Sequence, residues 1–129
     1  MATISTGVHT DSSFLNLREI SPAEVKEAAL QLLVPGEEVV AAFKTIRDQV
    51  LFTTKRIFVI NVQGVTGKKT SYLSYPYSKI QYYGIETAGV LDIDSELKVT
   101  FHDGSELQFD FRSRVDIKRI NALISKYIL

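Results

Sequence analysis

The apolar positions of the chain follow two periods. From Ser21 to Leu33 they recur at helical spacing, with Val25, Ala28, Ala29, Leu32 and Leu33 on one stripe. Ser21 stands as an N-cap, Pro22 occupies the first helical position, and Glu24 completes a capping box. Ile20 and Val25 are spaced as a hydrophobic staple, and Pro35-Gly36 ends the helix. The small alanines in mid-stripe predict a helix lying flat on a sheet or on a neighbouring subunit. From Glu37 the period becomes two. It predicts strands over 38–46, 50–53, 57–63, 72–75, 80–87, 97–101 and 107–111, the last pair folded around Asp103-Gly104. A final helix follows, with Ser113 as cap, Asp116 three residues on, and a stripe of Ile117, Ile120, Ile124, Tyr127 and Ile128.

Seven short strands in unbroken succession, most joined by tight turns, predict a mainly β fold with flanking helices. A sheet of this length tends to curl into a barrel or split into two packed sheets. The expectation is a seven-stranded antiparallel barrel or sandwich capped by the C-terminal helix, with an additional N-terminal helix. Residues 1–20, rich in Thr, Ser and Gly early on, read as a mobile tail, and 21–129 as a single domain.

Composition narrows the function classes. The chain has 129 residues, enough for one domain with a real core, and 45% of them are hydrophobic. Fifteen basic and fifteen acidic residues cancel, so no global field draws in nucleic acid or anionic lipid. The lack of cysteine removes disulfides, thiolate metal sites and a cysteine nucleophile. The start of the chain is unlike a signal peptide, and the expected location is the cytoplasm.

Several segments together resemble one family of small bacterial domains. They are Pro35-Gly36-Glu37-Glu38, Ala42-Phe43-Lys44-Thr45-Ile46-Arg47-Asp48, Phe52-Thr53-Thr54-Lys55-Arg56, Gln63-Gly64-Val65-Thr66-Gly67-Lys68-Lys69, Tyr75-Pro76-Tyr77 and Glu86-Thr87-Ala88-Gly89. In this order they resemble the bacterial pleckstrin-homology (PH) domains, from Ser21 to the C-terminus. The resemblance implies a PH-like barrel with a C-terminal helix, no established enzymatic activity, and ring-like homo-oligomers. Better-known PH relatives hold phosphoinositide headgroups with basic residues flanking a long loop between the first two strands. Here that connection is Arg47-Asp48-Gln49, which offers a single cation. A multivalent phosphate needs several converging donors.

Candidate chemistry is sparse. The Gly67-Lys68 pair suggests a nucleotide-binding P-loop, but Val62 stands where the first Gly belongs and Lys69 where Ser or Thr belongs. Lys55, Arg56, Lys68 and Lys69 remain as anion-binding candidates in two basic turns, which would share a site only if the fold brings them together. Asp92, Asp94 and Glu96 begin a calcium-loop pattern, but Leu97 and Asp103 occupy the positions of its Gly and bidentate Glu. His102, Asp103 and Ser105 crowd into one hairpin turn, too close for a nucleophile–base–orienter chain. His9 lies in the predicted tail, so no metal or cofactor is expected. Tyr72, Tyr75, Tyr77, Tyr82 and Tyr83 fall within a dozen residues, and tyrosine favours interfaces. The expectation is a non-enzymatic interaction module that self-associates and binds an unknown protein partner through these tyrosines, without nucleic acid. The alternative is a membrane-surface or anionic-ligand module using the basic turns.

Overall fold

The computed structural model describes residues 11–64, 69–87, 94–112 and 115–129. Contacts divide the described residues into two units, one within residues 19–76 and the other within 11–18 and 77–129.

The first unit is built on an antiparallel meander of β2 (Val39–Lys44), β3 (Gln49–Thr53), β4 (Arg56–Gln63) and β5 (Lys69–Pro76), each strand paired to the next. Every residue of β3 is buried, so this strand is covered on both faces. Ile20, Val25 and Ala29 pack with Ala42, Leu51, Phe58 and Ile60 to form a core on one face, so the helical segment lies on the sheet. That segment is not one helix. It consists of a 3-10 turn (Pro22–Glu24) and a single α-helical turn, α1 (Glu27–Leu30), with Val25 and Lys26 extended between them. Gln49 explains the break. Its side-chain carbonyl accepts from the Lys26 N–H at 3.0 Å and its amide donates to the Glu24 carbonyl at 3.1 Å, taking backbone groups a continuous helix would use.

The second unit holds a four-stranded sheet of β1 (Asp11–Glu19), β8 (Glu106–Phe111), β7 (Ser95–Phe101) and β6 (Ile80–Thr87), in that spatial order. β6, β7 and β8 are antiparallel, whereas β1 runs parallel to β8. The tail expectation is therefore corrected over Asp11–Glu19, which is an eighth strand; residues 1–10 lie outside the described residues. Phe14 and Leu17, both buried, are three positions apart instead of two. A register shift lies between them, and Asn16 adopts φ 58° there, a bulge that turns both side chains inward. Phe14 stacks on Phe109 with centroids 5.4 Å apart, and Arg112 Nε donates to Asn16 Oδ1.

Asp103-Gly104 forms the β7–β8 turn as expected, with Gly104 at φ 89°. Helix α2 (Ile117–Ile128) begins at Asp116, which caps the Arg119 N–H; Ser113 lies outside the described residues. Ile120 and Ile124 are buried, and Tyr127 stacks on the buried Tyr77 at 5.2 Å. No helix among the described residues is long and apolar enough to cross a membrane.

Candidate functional site

Arg56 is committed to the fold. Its Nε donates to Glu37 Oε2 and its Nη2 to Glu37 Oε1, both at 2.8 Å, while Nη1 reaches Ser74 Oγ and Nη2 also reaches the Leu32 carbonyl. The guanidinium lies 4.4 Å from the centroid of the Phe58 ring. The Glu37 side chain is fully buried and also accepts from Thr53 Oγ1 at 2.6 Å and from the Val34 N–H at 3.0 Å. Burial alone would raise its pKa; the hydrogen bonds from Arg56, Thr53 and Val34, with the Arg56 charge, outweigh that and lower it to about 2. Thr53 Oγ1 also accepts from the backbone of Lys55 and Arg56, so the hydroxyl shapes the turn. The Pro35-Gly36-Glu37 and Thr53–Arg56 motifs thus form one clasp, and of this turn's two cations Lys55 is the exposed one.

The two basic turns do not converge. Lys55 precedes the start of β4, while Lys69 pairs with Gln63 at its far end. Seven residue steps along a strand separate those ends by roughly 23 Å. Lys68 lies outside the described residues.

The tyrosines are likewise dispersed in role. In the first unit, Tyr72 packs against Phe58 at 6.3 Å, and Tyr75 is half-buried, its pKa raised by burial. In the second unit, Tyr77 is buried, and the Tyr83 hydroxyl meets Asn121 Oδ1 at 2.6 Å and Ser125 Oγ, tying β6 to α2. Tyr82 is 59% exposed. Of the five, it is the one presented to solvent as a large surface.

The His102–Ser105 turn is occupied with its own geometry. The Ser105 hydroxyl and N–H both donate to Asp103 Oδ1, an arrangement that lowers the Asp103 pKa. Asp92 lies outside the described residues, and Asp94 Oδ2 is 3.9 Å from Arg112 Nη1. Among the described residues no group of three potential ligands is placed to hold a metal ion.

What the strand register assembles instead is a row of carboxylates. Glu86 of β6 stands opposite Glu96 of β7, which stands opposite Asp110 of β8. Directly opposed like charges destabilise a sheet by a few tenths to about 1 kcal/mol. The hydrogen bond with Asp110, then its charge and that of Glu86, raise the Glu96 pKa. Gln108 Nε2 donates to both Glu96 and Asp110 at 3.3 Å. The neighbouring cations are turned to other acids, Lys98 to Glu106 at 3.4 Å and Arg112 to Asp94. A groove of about 490 Å³ lies beside the row, with Tyr82–Glu86, Lys98 and Gln108 in its walls. A second cavity of about 330 Å³ reaches Asp94 and Arg112. Glu86 and Glu96 line both. Among the described strands β6 pairs with β7 alone, so its other backbone edge is open. Glu86 and Asp110 do not stand out in the sequence; their shared parity on three strands is the available signal, but it needs the register to be read.

A family model for the bacterial PH domain matches residues 9–128. The chain belongs to the bacterial PH domain family. A crystal structure of a DUF1696 family protein with a pleckstrin-homology domain from Shewanella loihica is 34% identical, with a TM-score of 0.74 over 89% of this chain and 99% of that one. A pleckstrin homology domain from Shewanella amazonensis is 38% identical, with a TM-score of 0.57 over 82% of this chain and 90% of that one. The uncharacterised protein YjqA of Bacillus subtilis is 47% identical over 92 residues, which are 71% of this chain and 73% of that protein. The fold is PH-like and mainly β, with a C-terminal helix.

In this bacterial PH domain the β2–β3 connection is short and internally bonded. Asp48 Oδ1 accepts from the Val62 N–H at 2.9 Å, and Arg47 Nη2 donates to the Gly64 carbonyl. The one cation of the connection is thus bonded to a backbone carbonyl.

Proposed function

We propose that this bacterial PH domain is a non-enzymatic interaction module that works in the cytoplasm, self-associates and binds protein partners, with β6 as the contact strand for those partners. The observation that carries this reading is the open β6 edge. Natural edge strands are usually blunted by lysine, proline or a bulge. From Tyr82 to Thr87 this strand keeps continuous register with β7, contains neither residue, and bears one charge, Glu86. Tyr82 adds an exposed ring, and Tyr83 fastens the strand to α2. A strand held in place this way loses little further freedom on binding.

Size-exclusion chromatography with light scattering tests self-association. The expected result is a defined oligomer, formed without the β6 edge and so unchanged in Tyr82→Glu. A wild-type chain that stays monomeric at high concentration removes this part of the reading.

One observation favours a second reading, a peripheral membrane or anionic-ligand module. Ile46 is fully exposed in the β2–β3 turn, beside Arg47, whose Gly64 contact places it at the β4 end where Lys69 pairs. One apolar side chain with a few cations gives marginal membrane attachment. Equal, negligible sedimentation with neutral and anionic liposomes excludes it.

A further inference from the structure

Resting on the interaction-module reading, we infer that the β6 edge and its groove receive an extended basic segment of a partner protein. Three features converge on that occupant. The edge offers backbone donors and acceptors, which an added strand satisfies and a free ion does not. The in-register run Tyr82–Thr87 spans about 17 Å, the length of a strand of five or six residues. The charge beside it is negative: Glu86, Glu96 and Asp110 stand in one row, while Lys98 and Arg112 are paired to Glu106 and Asp94.

The pleat sets the pattern of the guest. Alternate side chains of an added strand project over the face that carries Tyr82, Gly84 and Glu86. One of them falls level with Glu86, where a lysine or arginine reaches the carboxylate row. Its neighbour two residues away falls level with Gly84, where no side chain stands in the way, and an apolar group there lies against Tyr82. Gly84 has nothing within 4 Å of the position a Cβ would take, so the groove floor is open at that point. The recognised segment is therefore extended, with a basic and an apolar residue at positions i and i+2. The same row repels phosphate, which separates this surface from nucleic acid and from anionic lipid.

The test uses the full chain, isotope-labelled for NMR, and three capped heptapeptides. Their alternate positions are apolar throughout on one face. On the other, one peptide carries valine with lysine, a second valine with glutamate, and a third valine with serine. The lysine peptide is expected to shift the amide signals of Tyr82–Thr87, to bind at least tenfold more tightly than the glutamate peptide, and to weaken about tenfold from 50 to 500 mM salt. Glu96→Gln with Asp110→Asn relieves the like-charge row, so the variant folds, and its affinity for the lysine peptide falls several-fold. Lysine and glutamate peptides shifting β6 equally overturn the basic preference and leave the interaction module standing. The same shifts arising from the chain's own concentration, without peptide, assign the groove to a second copy and overturn the inference. Failure of all three peptides to shift β6, in a chain that light scattering finds monomeric, removes both the inference and the reading beneath it.

Discussion

Replacing Arg56 by methionine is the sharpest test of how this fold is held. The Glu37 carboxylate is fully buried and Arg56 supplies both its charge partner and two of its four hydrogen bonds. Removing one member of a buried pair costs about 3–5 kcal/mol. The Thr53 and Val34 donors stay with Glu37, which places the expected loss near the low end, about 3 kcal/mol. That is a large part of a typical stability of about 5–15 kcal/mol. The pH dependence gives an independent sign. With a pKa of about 2 in the folded chain against 4.5 when unperturbed, Glu37 contributes stability that is complete above about pH 5 and is lost as pH falls towards 2. The shift corresponds to about 3 kcal/mol at most, and about 1–2 kcal/mol once solvent screening is counted. Without Arg56 its two hydrogen bonds and its charge no longer lower the Glu37 pKa, so the stability this group loses as pH falls from 5 to 3 shrinks in the variant. Urea titrations from pH 7 to pH 3 read both effects. Arg56→Met costing under 1 kcal/mol, or losing stability with pH in parallel with the wild type, would refute the clasp.

Tyr83→Phe deletes the hydroxyl that bonds Asn121 and Ser125, and should lower stability by about 1 kcal/mol and the melting temperature by roughly 3–6 °C. Gly104→Val places a branched residue at φ 89°, and a loss above about 1 kcal/mol in urea unfolding is expected; a neutral result contradicts the turn geometry. Gln49→Leu strands the Lys26 N–H and the Glu24 carbonyl, at a cost of about 1–3 kcal/mol, and hydrogen exchange at Lys26 should accelerate more than at Phe58.

Strand order was legible because alternation and turn chemistry agreed: Asp103-Gly104 marked a hairpin, and the seven expected strands all exist within a few residues of their expected bounds. Two elements were not legible, each for a local reason. β1 was hidden because the Asn16 bulge spaces Phe14 and Leu17 as no regular strand would. The N-terminal helix read as continuous because Gln49, twenty-three residues beyond Lys26, interrupts it from outside its own sequence. The site was less visible than the fold. Arg56 looked like a surface cation because its partner Glu37 lies in a different turn, and nothing local marks the pair. The carboxylate row belongs to three strands, so it exists only once their register is known. Tyr82 and Tyr83 are neighbours on one strand and so face opposite ways, yet which of the two stays exposed is decided by Asn121 and Ser125 on α2.

The parallel pairing of β1 with β8 has a consequence for biosynthesis. Ser12 and Leu107 are partners although about 95 positions separate them. As the chain emerges from the ribosome, the strands of residues 39–76 can pair in the order they appear, each with its immediate predecessor. β1 is made well before β8, so this parallel pairing waits for about 90 further residues. During that interval the edge of β1 that β8 will cover is open to other nascent chains or to chaperones. Closing so long a loop late is also slow, since its entropy cost precedes any reward from contact. Assembly of the second unit therefore ends late, and a nascent chain stalled before residues 106–111 emerge should lack the β1–β8 pairing while the strands of 39–76 are already paired.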